Sequence, residues 1–275
     1  MTLARRTATW VALMASILLG ACATRPVNPP LASYDSAKAY RIERPSAIAE
    51  DNATMVILAF SGGGTRAAAF AYGVLETLRD MEVTSRSGRK LRALDTVDVI
   101  TGISGGSFTA LAYGLHGDAI FDTFEQSFLK NNVQGKLVER TLNPFNWPAL
   151  GSVGWGRSEL AADLYDEILF KGATFGDLRR DGPRILVGTT DLADGTRLVF
   201  NPETFDILCA DLSKMRLARA AAASSAVPVV LSAITIDNYG GTCGYRVPTW
   251  TELFIGNPNP PRPAARSPSV SPLPV

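Results

Sequence analysis

Five consecutive residues of this sequence are arranged as in enzymes that use a serine nucleophile. Gly102-Ile103-Ser104-Gly105-Gly106 fits the pattern G-x-S-x-G. Small residues beside a serine allow a sharp turn from strand to helix. Such a turn exposes the hydroxyl at the helix N-terminus, where N–H groups favour developing negative charge. We therefore predict that Ser104 is a nucleophile and that Gly102 and Gly106 form its turn; the alternative is a glycine-rich turn without chemistry.

A second glycine cluster, Gly62-Gly63-Gly64, precedes a helical pattern. Glycine lets backbone N–H groups approach an anion closely, so the cluster is a candidate oxyanion hole or phosphate cradle. The stretch from Ser61 to Arg66 lacks the G-K-[ST] ending of a nucleotide-binding loop and fails the dinucleotide-binding pattern. The oxyanion hole is therefore favoured. Arg66 would orient the loop or meet a phosphate headgroup, unless it is an ordinary surface arginine.

The base that would activate Ser104 is not a histidine. The sequence contains a single histidine, His116. It stands about 12 residues along the helix predicted after the turn, ~18 Å of rise from the serine. A continuous helix would keep it from the hydroxyl, which leaves a carboxylate as the common alternative base. One histidine also rules out a multi-histidine metal site, and we expect neither metal nor cofactor.

The elements around these motifs alternate as strand, tight loop and helix. Apolar runs at 55–60 and 97–101 predict buried parallel strands, each followed by a glycine loop and a helix. Further strands are predicted at 184–189 and 197–200. This order predicts an α/β fold with a mainly parallel central sheet.

Two predictions concern which side chains are buried. In the helix after the glycine cluster, Phe70, Val74, Leu78 and Met81 recur at helical spacing and are expected to share one face. We interpret the aromatic loop at 143–148 as pinned by buried rings; the alternative is exposed rings that touch acyl chains or membrane.

The N-terminus has the pattern of a bacterial lipoprotein signal. Arg5 and Arg6 precede a mainly apolar run over 8–21. At ~1.5 Å per residue this run is shorter than the ~30 Å membrane core, so it indicates a secretory signal rather than a span. The small residues before Cys22 resemble a lipobox, with Cys22 as the lipid anchor. Because Ala23 is not the aspartate of inner-membrane retention, we expect an outer-membrane lipoprotein.

Composition excludes several classes of protein. The 275 residues are 46% hydrophobic, which is typical of a globular chain. The 27 Lys+Arg nearly balance the 26 Asp+Glu, so there is no basic surplus for a nucleic-acid partner. Three cysteines are too few for a structural zinc site. After lipidation of Cys22, Cys209 and Cys243 would either pair or remain two buried thiols.

Four stretches together resemble the patatin-like phospholipase family. They are the loop Gly62–Arg66, the turn Gly102–Gly106, the segment Ala223–Pro228, which matches A-S-x-A-x-P, and the strand pair within Arg184–Phe200. The resemblance implies a three-layer α/β/α fold and cleavage of lipid acyl esters by a Ser-Asp dyad, through an acyl-enzyme and without metal. It also implies a membrane lipid or other acyl ester as substrate.

The resemblance implies roles for particular residues and also shows one departure. Ser104 takes the nucleophile role, and the backbone of Gly62, Gly63 and Gly64 takes the oxyanion role. The family's aspartate lies in D-G-G or D-G-A after A-S-x-A-x-P, where this sequence has only Asp237, followed by Asn-Tyr-Gly-Gly. We therefore expect the chain to be truncated before that motif, with Asp237 as the fallback base.

The predicted organisation has four parts. These are a signal peptide over 1–21, a lipidated N-terminus with flexible tether over 22–53, a partial patatin-like domain over 54–255 and a proline-rich disordered tail over 256–275. The leading hypothesis is a lipid acyl-ester hydrolase; the alternative is a catalytically inactive lipid-binding lipoprotein. The sequence does not specify an oligomeric state.

Overall fold

The computed structural model describes residues 26–35, 54–150, 155–227 and 230–246. Cys22, the signal sequence before it and the proline-rich tail lie outside these residues. Over the four ranges given, no helix combines the length and the apolar character needed to cross a membrane.

A mixed, mainly parallel sheet forms the centre of the fold, as the alternation of elements predicts. Its strands occur in the order β1-β4-β5-β6, with β1, β4 and β5 parallel and β6 antiparallel to β5. A separate antiparallel hairpin pairs β2 with β3. The strands are β1 (Val56–Phe60), β2 (Glu82–Thr84), β3 (Lys90–Arg92), β4 (Val97–Ile103), β5 (Arg184–Thr190) and β6 (Arg197–Phe200).

Helices flank this sheet. In chain order they are α1 (Gly64–Asp80), α2 (Gly105–His116), α3 (Ile120–Phe124), α4 (Val133–Leu142), α5 (Trp147–Leu150), α6 (Arg157–Tyr165), α7 (Pro202–Ile207) and α8 (Leu217–Ser224). Single π-helical turns extend α3 over Glu125–Leu129 and α6 over Asp166–Phe170. Helix α2 packs against β4, β5 and α1, and α8 packs against β5 and α6. The two motifs at the starts of α1 and α2 therefore follow neighbouring strands.

The face that α1 buries differs from the predicted one. Phe70 is 77% exposed and Met81 lies beyond the helix end at 47% exposure, although Val74 and Leu78 do contact the core. Alanines 68 and 71 are buried instead, together with Tyr72 and Leu75. Their short side chains bring α1 close to α2, where buried Thr109 Oγ1 donates a hydrogen bond to the carbonyl of Ala68 at 2.9 Å.

The interpretation of the aromatic loop as pinned by buried rings is wrong. Phe145 is 89% exposed and Trp147 is 58% exposed. Local hydrogen bonds, and not buried rings, hold the loop. The side chain of Asn143 accepts from the N–H of Phe145, and Asn146 Nδ2 donates to the carbonyl of Arg140 at 2.8 Å.

An N-terminal arm, residues 26–35, lies against the fold, whereas the sequence predicts a tether through residue 53. The N–H of Leu31 donates to the carbonyl of Cys209, and the N–H of Tyr34 donates to the carbonyl of Cys243. A disulfide joins Cys209 to Cys243, which settles the alternative that the sequence left open. The arm therefore binds both ends of a cross-linked loop.

A buried ion pair joins α6 to α8. Arg219 Nη2 contacts Glu159 Oε1 at 2.7 Å, and its Nε contacts Oε2 at 3.1 Å, with both side chains at most 6% exposed. Arg219 Nη2 also donates to the carbonyl of Thr235 at 3.2 Å. These contacts fix α8 relative to α6 and to the segment 230–246.

We predict that Glu159→Ala lowers the free energy of unfolding by about 3–5 kcal/mol, because it leaves the buried Arg219 charge unpaired. The matched control is Glu167→Ala, which breaks the more exposed pair with Arg140 and should cost at most about 1 kcal/mol. Chemical denaturation of the full chain measures both values, and equal effects would contradict the prediction.

Candidate active site

Ser104 lies at the turn between β4 and α2, as the sequence predicts. It has φ 50° and ψ −120°, a backbone conformation that residues other than glycine rarely adopt. Such backbone strain costs of order 1–3 kcal/mol and persists only where surrounding contacts enforce it. The serine is half-buried, directly before the first residue of α2.

Two other serines hold the peptide groups on either side of Ser104. The N–H of Ser104 donates to Ser224 Oγ at 2.8 Å, and Ser224 Oγ donates to the carbonyl of Gly188 at 2.6 Å. The carbonyl of Ser104 accepts from Ser107 Oγ at 2.6 Å and from the N–H of Ser107 at 3.0 Å. Both peptide planes of the strained residue are thereby fixed.

The glycines of the turn stand where the chain has no room for a side chain. A Cβ on Gly102 would lie 2.6 Å from Ser107 Cα, and a Cβ on Gly106 would lie 2.6 Å from Phe60 Cβ. The turn thus packs directly against the first turn of α2 and the end of β1. This is the close packing that the G-x-S-x-G pattern predicts.

The glycine cluster at 62–64 contacts the serine turn. A Cβ on Gly62 would lie 3.4 Å from Ser104 Cβ, and one on Gly105 would lie 2.0 Å from the carbonyl oxygen of Gly64. Gly63 and Gly64 have φ of 139° and 64°, which glycine adopts readily. The structure therefore brings together the predicted nucleophile and the predicted oxyanion loop.

Two helix N-termini meet at this point, since α1 begins at Gly64 and α2 at Gly105. The first N–H groups of a helix have no acceptor within it and carry the positive end of the helix dipole. Neither helix has an acidic residue in its first turn. The arrangement therefore favours negative charge beside Ser104.

Arg66 and His116 lie on the two helices that follow the glycine cluster and the serine turn. Arg66 is exposed in the first turn of α1 and forms no ion pair with any residue that the structure describes. His116 is the last residue of α2, exposed, with Nε2 3.4 Å from the carbonyl of Leu169. Because α2 is continuous, His116 is separated from Ser104 as predicted.

Asp237 is bound to the N-terminal arm through its backbone. Its N–H donates to Asn28 Oδ1 at 2.7 Å, and its carbonyl accepts from Asn28 Nδ2 at 3.0 Å. Within the four described ranges, Ser104 Oγ forms no side-chain hydrogen bond. Asp237 as base therefore stays a prediction.

A cleft of about 1020 Å³ adjoins the serine turn. Ile103 and Ser224 line it, and the β5–β6 hairpin and the segment 233–238 form its walls. Much of this lining is apolar, including Leu192, Leu198, Ala226, Ile234 and Ile236. A cleft of this volume and chemistry can hold a large apolar ligand.

Behind the turn, the environment is apolar. Tyr165 packs edge-on against Phe108 of α2, with ring centroids 4.7 Å apart. Burial raises the pKa of Tyr165, and a hydrogen bond with Ser225 lowers that pKa by less. The phenol therefore stays neutral and adds no negative charge.

Sequence reasoning gave no role to Ser107 or Ser224. Ser224 belongs to the segment 223–228 that resembles A-S-x-A-x-P, and this resemblance was the sequence feature that could have indicated its role. Its partners, Ser104 and Gly188, come from distant parts of the chain, so only the folded structure reveals the contacts.

Comparison with known proteins places the chain in a family. The model of the family described as patatin-like phospholipase matches residues 58–251. Among curated proteins, none matches the chain significantly.

Solved structures similar to part of the chain include one human and one bacterial protein. Human GIVD cytosolic phospholipase A2 with methyl γ-linolenyl fluorophosphonate has TM-score 0.43 and 18% identity, covering 66% of this chain and 31% of that one. The ExoU–SpcU complex of the Pseudomonas aeruginosa type III secretion system has TM-score 0.38 and 20% identity, covering 63% of this chain and 36% of that one. The chain thus spans about a third of the length of these structures.

We predict that Gly105→Ala slows fluorophosphonate labelling of Ser104 by roughly 10²-fold or more, the scale of a lost oxyanion donor. Its new Cβ would displace the Gly64 peptide. The matched control is Gly73→Ala in α1, where an added Cβ meets nothing within 4 Å. Circular dichroism checks that both variants fold, and labelling of both at the wild-type rate would contradict the prediction.

Proposed function

Because the chain belongs to the patatin-like phospholipase family, we propose that it hydrolyses acyl esters of lipids, with Ser104 as the nucleophile. One observation carries the proposal: the strained Ser104 turn lies in van der Waals contact with the glycine cluster at 62–64. A serine held at two helix N-termini has what acyl transfer requires, a hydroxyl beside N–H donors.

The proposed reaction proceeds in two steps. Ser104 Oγ attacks the ester carbonyl carbon and loses its proton to a carboxylate base, and the oxyanion accepts hydrogen bonds from N–H groups of the loop 62–64. The carbonyl re-forms as the ester C–O bond breaks, and the alcohol takes a proton from the base. Water then cleaves the acyl-enzyme by the same route, which releases the fatty acid and frees Ser104.

The base in this proposal is an aspartate, in a Ser-Asp dyad. Asp237 is the candidate that the sequence offers after A-S-x-A-x-P. Without a base, Ser104 would lose roughly 10²–10⁴-fold in rate. The alternative is a lipid-binding protein without catalysis, which would use the cleft beside the serine turn and need no base.

The apolar cleft supports a lipid as the substrate class. Ile103, the residue before the nucleophile, lines the cleft, so an acyl chain bound there would pass near Ser104. The exposed Arg66, in the first turn of α1, would meet an anionic headgroup outside the cleft. We propose no preference for one headgroup or acyl length.

We further propose that the protein acts at the outer membrane, anchored by a lipid on Cys22. The support for this location is the sequence: two arginines, a short apolar run and small residues before the cysteine. An anchored enzyme would meet its substrate in the surface that holds it.

We predict that the full chain reacts with a fluorophosphonate probe and that Ser104→Ala abolishes the labelling. The probe reports an activated serine without requiring the correct lipid. The matched control is Ser107→Ala, which keeps Ser104 but removes one hydrogen bond to its carbonyl; it should slow labelling without abolishing it.

The two functional alternatives give different results. Labelling lost only in Ser104→Ala supports the hydrolase, and turnover of phospholipid vesicles that depends on Ser104 supports the lipid substrate. A folded chain that binds vesicles but is neither labelled nor active would instead support the non-catalytic alternative.

We predict that Cys22→Ser prevents attachment of the lipid and leaves the signal peptide uncleaved. The thiol is the group that the lipobox modifies, and serine lacks it. Mass spectrometry of the protein from bacterial membranes measures both changes, with Cys209→Ser as the cysteine control. A lipidated Cys22→Ser variant would contradict the anchor.

A further inference from the structure

We propose that Ser224 is a positioning residue for the nucleophile, an inference that rests on the proposed function. Its hydroxyl accepts the N–H of Ser104 at 2.8 Å and donates to the carbonyl of Gly188 at 2.6 Å. It thereby links the serine turn, strand β5 and helix α8 through one atom.

The direction of each hydrogen bond at Ser224 is determined by its partners. A backbone N–H only donates and a carbonyl only accepts. The hydroxyl of Ser224 must therefore accept from the N–H of Ser104 and donate its single proton to the carbonyl of Gly188. No proton then remains for a substrate or a leaving group. Ser224 therefore acts through Ser104 and not on the substrate.

Ser224 is itself held rigidly. It is the last residue of α8. The neighbouring carbonyl of Ala223 accepts from Thr189 Oγ1 at 3.0 Å. Two side-chain hydrogen bonds, one in each direction, thus join the end of α8 to residues 188 and 189 of β5. The buried Glu159–Arg219 pair joins the same helix to α6. A group anchored in this way can hold a strained partner.

The contact with Ser224 removes the backbone N–H of Ser104 from the possible oxyanion donors. Its N–H is bonded to Ser224 and is not available to an oxyanion, so the oxyanion donors must be other N–H groups, from Gly62–Gly64 and Gly105. The same bond fixes the plane of the Ile103–Ser104 peptide at φ 50°. Without Ser224, two polar backbone groups lose their partner and the turn is free to relax.

The test compares Ser224→Ala, Ser224→Thr and Ser225→Ala in the full chain. Ser225 is the matched control, because it is the adjacent serine, directly after the last residue of α8, and its hydrogen bonds do not reach the serine turn. Its Oγ donates to the carbonyl of Ala221 at 2.8 Å and shares a hydrogen bond with Tyr165. We expect Ser224→Ala to lower kcat for ester hydrolysis and the labelling rate by about 10- to 100-fold, the cost of a misplaced reacting group.

Several readouts separate positioning from a general loss of structure. In Ser224→Ala, kcat should fall while KM stays near the wild-type value, and the thermal unfolding midpoint should fall by only about a few degrees, the cost of two lost hydrogen bonds. Ser224→Thr keeps the hydroxyl and should restore most of the rate, and Ser225→Ala should leave the rate unchanged. Equal kcat in Ser224→Ala and Ser225→Ala, or a threonine variant as slow as the alanine variant, would overturn the proposal.

Amide hydrogen exchange at Ser104 tests the contact independently of activity. The N–H of Ser104 should exchange slowly in the wild type and in Ser225→Ala, and at least about tenfold faster in Ser224→Ala. If the wild type shows this pattern but neither labels nor hydrolyses esters, the proposed function fails while the positioning contact stands. Equal exchange in all variants would overturn the positioning role itself.

Discussion

The unfavourable backbone conformation of Ser104 is the constraint on which the surrounding structure depends. A non-glycine residue at φ 50° and ψ −120° holds only if its neighbours leave it no alternative. Ser224 binds the peptide before it and Ser107 binds the peptide after it. The strain is thus balanced by hydrogen bonds from a distant helix and from the helix that the turn begins.

Close packing of small residues makes this turn possible. The glycines of the turn and of the cluster at 62–64 lie so near one another that a single added Cβ would meet backbone atoms. Alanines on α1 extend the same close approach along the interface with α2. The turn therefore does not tolerate larger residues, because one methyl group at Gly105 or Gly106 would displace the neighbouring chain.

The more distant contacts hold the helix that carries Ser224. Arg219 joins α8 to α6 and to the carbonyl of Thr235. The Cys209–Cys243 disulfide and the N-terminal arm tie down the segment that follows. The site thus depends on elements far from it in sequence, because α8 is bound to α6 and to the segment 230–246, which the disulfide and the arm hold in turn.

Local chemistry by itself determined the strands, the two glycine-rich turns and the separation of His116 from Ser104. Apolar runs predict strands, and glycine beside serine predicts a sharp turn, without knowledge of distant residues. The predicted burial of the first strand is wrong, because β1 lies at one edge of the described sheet and Ile57 is 55% exposed. The tertiary structure alone decided which side chains are buried and which groups meet. Phe70 is exposed because α1 packs through its buried alanines instead. Phe145 is exposed because hydrogen bonds of Asn143 and Asn146 hold its loop. The Ser104–Ser224 contact, the disulfide and the bound arm join residues far apart in sequence. Spacing along a chain carries no information about such contacts, because they form only when the elements pack.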